Sequence, residues 1–210
     1  MVRAVILDFD GVILDSVGVK TRTFARLFED RGPMVVRQVI DYHLANGGVS
    51  RFEKFEYIYS NFLHETLSRA ESARLGDRFK AFAFDEIVIA PWIPGAKEFL
   101  QDNFQRYLLF VASGTPEDEL REIICLRHLD RNFRGAFGSP ASKAQIVNRI
   151  VAENDLTRSD VVFVGDAMTD FHAAMESGVK FIGIAPASAS PFPPSTKVLP
   201  DLRGLAEAIT

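Results

Sequence analysis

The chain has 210 residues, 47% hydrophobic and 25% charged, with 24 Lys and Arg against 28 Asp and Glu and a formal net charge of -4. That size holds one large domain or a core plus a small second one, and the apolar fraction excludes a disordered chain. There is no net positive charge to drive general binding to nucleic acid or anionic lipid, no apolar stretch near the roughly 20 residues of a membrane span, and one cysteine, Cys125, which excludes an internal disulfide and a thiolate zinc site.

The first apolar run, Ala4 to Phe9, reads as a buried strand. The chain turns acidic at Asp8, too early for a signal peptide, so a soluble, cytoplasmic protein is expected. From Asp15 to Val88 no strand pattern appears, and helix signals follow one another. One helix is expected over 20–31, stopping at Gly32-Pro33, and another over 34–45, stopping at Asn46-Gly47-Gly48. Ser50 with Glu53, and Ser68 with Glu71, have capping-box spacing and start a third and a fourth helix. Asp15 to Gly18 and Pro91 to Gly95 read as the two crossings between this segment and the rest. Residues 16–91 are therefore expected to form a helical domain inserted into a core made of residues 1–15 and 92–210.

Beyond Gly95 the pattern alternates. Strands are expected over 107–112, 135–137, 161–164 and 181–184, and helices over 117–129, 143–154 and 169–177. Continuous apolar strands alternating with helices predict an α/β fold, a doubly wound parallel sheet covered on both faces. Cys125 falls on an apolar helical stripe and reads as packing. The four prolines between Pro186 and Lys197 predict a loop.

Ligands bind such sheets at the carboxyl ends of the strands. After the first strand comes Asp8-Phe9-Asp10-Gly11, after the second Ser113-Gly114-Thr115-Pro116, and after the fourth Gly165-Asp166 with Asp170 four residues on. Strand alternation would turn Asp8 and Asp10 to one face. Four carboxylates in one crevice would repel and raise one another's pKa. A hard divalent cation with oxygen ligands relieves that, and Mg2+ fits best. Asp170 also suits a helix cap.

An anion site is expected opposite. Thr115 reads as an N-cap with Pro116 at the first helical position, placing the Ser113 and Gly114 amides near a positive helix end. Lys143 opens a helix, where the macrodipole disfavours a cation unless it faces an anion. A metal site, an anion cradle, a lysine and paired aspartates suit phosphoryl transfer, in which aspartate can be the covalent nucleophile.

Asp8-Phe9-Asp10-Gly11-Val12, Ser113-Gly114-Thr115, Lys143 and Gly165-Asp166-Ala167-Met168-Thr169-Asp170 resemble, in order, the four signature motifs of the haloacid dehalogenase-like hydrolases. The helical insertion sits where the cap of the phosphoglycolate phosphatase and beta-phosphoglucomutase subgroup sits. The resemblance implies that Asp8 attacks phosphorus and binds Mg2+. It implies that Asp10 is the acid and base and offers its backbone carbonyl to the metal. Ser113, Gly114 and Lys143 would hold the phosphoryl oxygens, and Asp166 with Asp170 would complete the metal site. An aspartate at position 10 distinguishes phosphatases and phosphomutases of the family from its dehalogenases.

The expected activity is thus Mg2+-dependent hydrolysis of a small phosphorylated metabolite, a sugar phosphate or a phosphoglycolate-like acid, by a monomer or homodimer. A phosphomutase is the alternative within the fold. A phospho-accepting receiver and a non-catalytic binding protein are alternatives of another class. Substrate choice should lie in the insertion. There His43, Arg51 and Lys54 flank Gly47-Gly48, and Arg51 and Lys54 sit in a helix first turn unless they only form a solvated face. His64, His128 and His172 lack paired-ligand spacing and read as surface or structural residues.

Overall fold

The computed structural model describes residues 1–186 and 188–209; within the loop expected over 186–197, Ala187 lies outside the described residues. Among the described residues the strands are β1 (Ala4–Leu7), β2 (Leu108–Pro116), β3 (Gly135–Ser139), β4 (Val161–Gly165), β5 (Lys180–Ile184) and β6 (Val198–Leu199). They form one parallel sheet in the order β3-β2-β1-β4-β5-β6. Helices α1 (Val17–Leu27), α2 (Pro33–Ala45), α3 (Arg51–Ile58) and α4 (Arg69–Val88) lie between β1 and β2. Helix α5 (Ala96–Asn103) leads into β2, α6 (Glu117–Leu126), α7 (Lys143–Glu153) and α8 (Met168–Ser177) join the later strands, and α9 (Leu205–Ile209) follows β6. The expected doubly wound sheet with a helical insertion is the fold observed. Among the described residues no helix is long and apolar enough to cross a membrane.

The continuous apolar character of β1 has a direct cause. Ala4 and Ile6 pack with Ile146, Val147 and Ile150 of α7 and Ala173 and Ala174 of α8. Val5 and Leu7 face the other way, towards Ala96, Phe99 and Leu100 of α5 and Leu120 and Ile123 of α6. Both faces are covered, so neither set can be polar. The second layer continues into the insertion, where Phe24, Phe28, Val39, Phe55, Ile58 and Phe79 are buried. Phe24 lies 5.8 Å from Phe55 and 5.0 Å from Phe79, ring centre to ring centre. Truncating such a phenylalanine to alanine costs about 3–5 kcal/mol, so the insertion has a core of its own as well as a shared one.

The two crossings run side by side. The Asp15 amide donates to the Pro91 carbonyl at 2.9 Å, and the Ile93 amide to the Ile13 carbonyl at 3.0 Å. Arg127 donates to the Val88 and Ala90 carbonyls at 2.7 and 2.8 Å and lies over the Trp92 ring at 4.6 Å.

Several local expectations are corrected. Strand β1 stops at Leu7, and Gly11 turns the chain with φ 82°, so a turn rather than strand alternation brings Asp8 and Asp10 to one side. Strand β2 runs on to Pro116, which occupies the N-cap of α6, and Thr115 points its hydroxyl elsewhere. Helix α6 ends at Leu126 rather than 129, and Cys125 is exposed instead of packed because the buried face of the helix is formed by Glu119, Leu120, Ile123 and Ile124. Ser50 and Ser68 do cap α3 and α4, but the Glu71 carboxylate goes to Tyr59 and Arg74. His64, His128 and His172 are exposed.

Candidate active site

Strand β1 sits between β2 and β4, and the chain leaves it in opposite directions along the sheet, which makes the end of β1 the switch point where such folds hold ligands. A cavity of about 260 Å³ opens there, lined on the core side by Asp8, Asp10, Gly114, Thr115 and Asp166. Gly11 is required at this turn: a Cβ on it would come within 2.2 Å of the Asp166 carboxylate. Across the cavity stand Lys20 and Phe24 of α1, His43 of α2, Gly47 and Gly48 of the α2–α3 connection, Arg51 and Lys54 of α3 and Phe79 of α4.

Asp8, Asp166 and Asp170 each offer a carboxylate oxygen within 4.8 Å of the others. Lys143, at the start of α7, lies 2.9 Å from Asp8 and 2.5 Å from Asp170. Asp170 also accepts from the Ala167 amide at 3.1 Å, so it caps α8 and joins the acidic group at once. Burial pushes Asp8 up to about 7; Lys143 opposes the shift, while Asp170 and Asp10 add to it. Burial, then Asp8 and Asp170, raise Asp166 well above the carboxylate range. For Lys143 burial works against the charge, yet Asp170 and Asp8 hold its pKa above the ordinary value. Oxygen-only donors carrying more negative charge than one lysine offsets are what a hard divalent cation requires, so the residues present fit Mg2+.

Asp10 departs from the expected mutual repulsion. Its carboxylate lies outside the acidic trio and accepts from Lys20, from Ser16 at 2.6 Å and from Thr115 at 3.2 Å. Burial alone would raise its pKa, but Lys20 and Ser16 hold it below the usual value. Lys20 also donates to Thr115 at 2.8 Å. Sequence reasoning passed over Lys20, although it stands one turn into α1, a position as unfavourable for a cation as those that singled out Arg51 and Lys54.

Where the sequence led to the expectation of a phosphate cradle, the end of β2 meets the insertion. Ser113 is buried at the end of the apolar part of β2, and its hydroxyl accepts from the Thr115 amide at 3.1 Å. Gly114 lies against the insertion: a Cβ there would come within 2.3 Å of the Gly48 carbonyl oxygen. Thr169 donates to the Gly47 carbonyl at 2.6 Å. The α2–α3 connection therefore rests directly on the cradle.

His43, Arg51 and Lys54 come together in the cavity wall, and none belongs to a solvated face. Arg51 pairs with Glu119 of α6 at 2.6 Å and lies over the Phe79 ring at 4.2 Å. Lys54 donates to the His43 ring Nδ1 at 2.9 Å and to its carbonyl at 3.3 Å. Burial, then Lys20 and Lys143, lower Lys54 to about 7, and burial, then Lys54, lower His43 to about 3. Glu119 had no sequence signal, because its partner is 68 residues away.

Residues 5–184 match the family model described as haloacid dehalogenase-like hydrolase. A phosphoglycolate phosphatase of Aliivibrio fischeri is 24% identical over 187 residues, covering 84% of this chain and 81% of that protein. The solved beta-phosphoglucomutase of Clostridium difficile superposes with a TM-score of 0.79 at 16% identity, covering 98% of this chain and 93% of that one. A haloacid dehalogenase-type hydrolase of Bacillus subtilis, solved with magnesium bound, superposes with a TM-score of 0.73 at 18% identity, over 99% and 98% of the two chains.

Proposed function

The chain belongs to the haloacid dehalogenase-like hydrolases, and from that premise we propose that it is a Mg2+-dependent phosphatase acting on a small phosphorylated metabolite through an aspartyl-phosphate. The observation that carries this reading is the convergence at one cavity of Asp8 and Asp10, from the turn after β1, Asp166, which follows β4, and Lys143 of α7, which pairs with Asp8. The name of the curated relative supports phosphatase over mutase, and the likeness to the mutase supports the fold alone. Residues 16–91 are read as a cap closing over residues 1–15 and 92–210. A cytoplasmic setting is part of the same reading.

Asp8, Asp166, Asp170 and the Asp10 backbone carbonyl would hold Mg2+, which when bound supplies charge stabilisation for the phosphoryl oxygens. An Asp8 carboxylate oxygen bonds to phosphorus as the bond from phosphorus to the leaving oxygen breaks. Asp10 gives that oxygen its proton. Lys143, with Ser113 and the Gly114 amide, stabilises the charge spread over the transferring group. Asp10 then takes a proton from the water that attacks the aspartyl-phosphate, which frees phosphate and regenerates Asp8. Lys20 keeps Asp10 ionised in the structure, so before it donates Asp10 must take up a proton, from solvent or from the phosphate monoanion of the substrate, as that contact loosens.

Release of phosphate from p-nitrophenyl phosphate tests the reading. Turnover should vanish in chelator, return with Mg2+ and return poorly with Ca2+, whose larger and looser shell disturbs in-line geometry. Mg2+ should also raise the melting temperature, since it binds the folded carboxylates only. Asp8→Asn should lose turnover and the acid-labile phosphoryl label. Wild-type turnover in Asp8→Asn would place the nucleophile elsewhere.

A further inference from the structure

Lys20, Arg51 and Lys54 line the cavity, Lys143 pairs with the lining residue Asp8, and the four cations are not equivalent. Lys20 is paired with Asp10, Arg51 with Glu119, and Lys143 with Asp8 and Asp170. Lys54 is 2% exposed, yet among the described residues no carboxylate pairs with it. Its two protein partners are both on His43: the ring Nδ1 and the backbone carbonyl. An ammonium has three hydrogens and no lone pair, so one donor direction stays open. A buried charge without a counter-ion costs several kcal/mol and survives where something else supplies the opposite charge.

The imidazole repeats the pattern. Because Nδ1 accepts from Lys54, the ring proton sits on Nε2, and Nε2 is buried without a hydrogen-bond partner. Phe24 backs both groups, with its ring centre 4.7 Å from the His43 ring and 5.6 Å from Lys54 Nζ. This corner of the cavity offers donors and positive charge and no spare acceptor. A polyhydroxylated leaving group needs acceptors as well as donors. A carboxylate needs donors only.

We propose that Lys54, held in place by His43, is the seat for a carboxylate on the leaving portion of the substrate, so that the preferred substrate class is a short phosphorylated carboxylic acid rather than a sugar phosphate. The inference rests on the phosphatase reading and narrows it. Lys54 is the specificity-determining residue, and His43 is a positioning residue that acts through it.

The test compares 2-phosphoglycolate with 2-hydroxyethyl phosphate, which differ in the carboxylate, under Mg2+. Wild-type turnover of p-nitrophenyl phosphate separately reports whether the phosphatase reading holds. Wild-type kcat/KM should favour the carboxylate at least tenfold, and Lys54→Met should bring the ratio close to one. His43→Phe, which keeps the ring stacked on Phe24 but removes Nδ1, should reduce the ratio chiefly through KM. A wild-type preference for the hydroxyethyl ester would overturn the proposal, as would an unchanged ratio in Lys54→Met or equal losses on both esters, which would assign Lys54 to the phosphoryl group. If the wild-type protein turns over no ester, melting temperature decides: stabilisation by 2-phosphoglycolate well beyond 2-hydroxyethyl phosphate supports the seat, and equal stabilisation overturns it.

Discussion

Arg51 on α3 and Glu119 on α6 form an ion pair of 2.6 Å with each side chain only 5% exposed, and it ties the insertion to the core at the rim of the cavity. A second bridge on the same face of α6, Lys80 to Glu122 at 2.7 Å, is half exposed and is worth little by comparison. Glu119→Gln leaves the Arg51 cation buried without its counter-charge and should cost about 3 kcal/mol. The double variant Arg51→Met with Glu119→Leu should recover most of that loss, because a buried ion pair is often no better than an apolar replacement. Urea denaturation of the wild-type protein and these two variants measures both. A double variant no more stable than Glu119→Gln would show that the loss in Glu119→Gln does not come from an unpaired Arg51.

Lys20 is expected to act through Asp10. Lys20→Met should lower kcat on p-nitrophenyl phosphate at least tenfold by releasing the acid–base carboxylate from its position, within the range that such help supplies, about 10²–10⁴-fold. In an Asp10→Asn background the same change should add almost nothing, since the two side chains form one unit. Full additivity of the kcat losses would sever Lys20 from Asp10.

Gly48 marks how closely the insertion seats on the core. It has φ 77°, and a Cβ on it would come within 2.3 Å of the Thr169 hydroxyl and 2.6 Å of Lys143 Nζ. Gly48→Ala should therefore hold the α2–α3 connection off the cradle, and misplacement on the order of 1 Å can cost about 10²-fold in rate. Steady-state kcat/KM on p-nitrophenyl phosphate checks it. Wild-type efficiency would mean that this contact forms no part of the working conformation.

The charge on Lys54 sets a pH dependence. Lys20 and Lys143 face it as like charges and Asp10 as an opposite one, and with burial they bring its pKa down from 10.5 to about 7. Lys54 is then charged below pH 7 and neutral above. The kcat/KM for 2-phosphoglycolate relative to p-nitrophenyl phosphate should fall as pH rises through about 7, because kcat/KM reports the free enzyme. Stability shows the opposite sign. Between about 7 and 10.5 the unfolded lysine binds a proton that the folded one has lost, so the fold gains stability as pH rises through that window. In Lys54→Met both slopes should disappear. A kinetic ratio that does not vary with pH would remove Lys54 from substrate recognition.

The fold and the core of the site were legible in the chain itself, for reasons local to each segment. A strand covered on both faces must be continuously apolar, as Ala4 to Leu7, Leu109 to Ala112 and Val161 to Val164 are. Polar and acidic residues at the ends of such strands must then crowd one crevice, which marked Asp8, Asp10, Ser113, Gly114, Asp166 and Asp170. The helix starts at Ser50 and Ser68 were readable because a cap involves neighbours a few residues apart. Short elements without that strength of pattern, the two residues of β6 and the five of α9, left no trace.

What only the tertiary structure decided is which charge meets which. Lys20 with Asp10, Arg51 with Glu119 and Lys54 with His43 span 10, 68 and 11 residues, and no periodicity within one helix connects them. Asp8 and Asp10 are two residues apart, yet their protonation shifts in opposite directions. An ionisable group responds to burial and to charges within a few ångströms, whichever part of the chain supplies them. The sequence therefore determined that an acidic crevice lies at the end of β1, and packing of the insertion onto α6 and the end of β2 determined which of its charges have a partner of opposite sign.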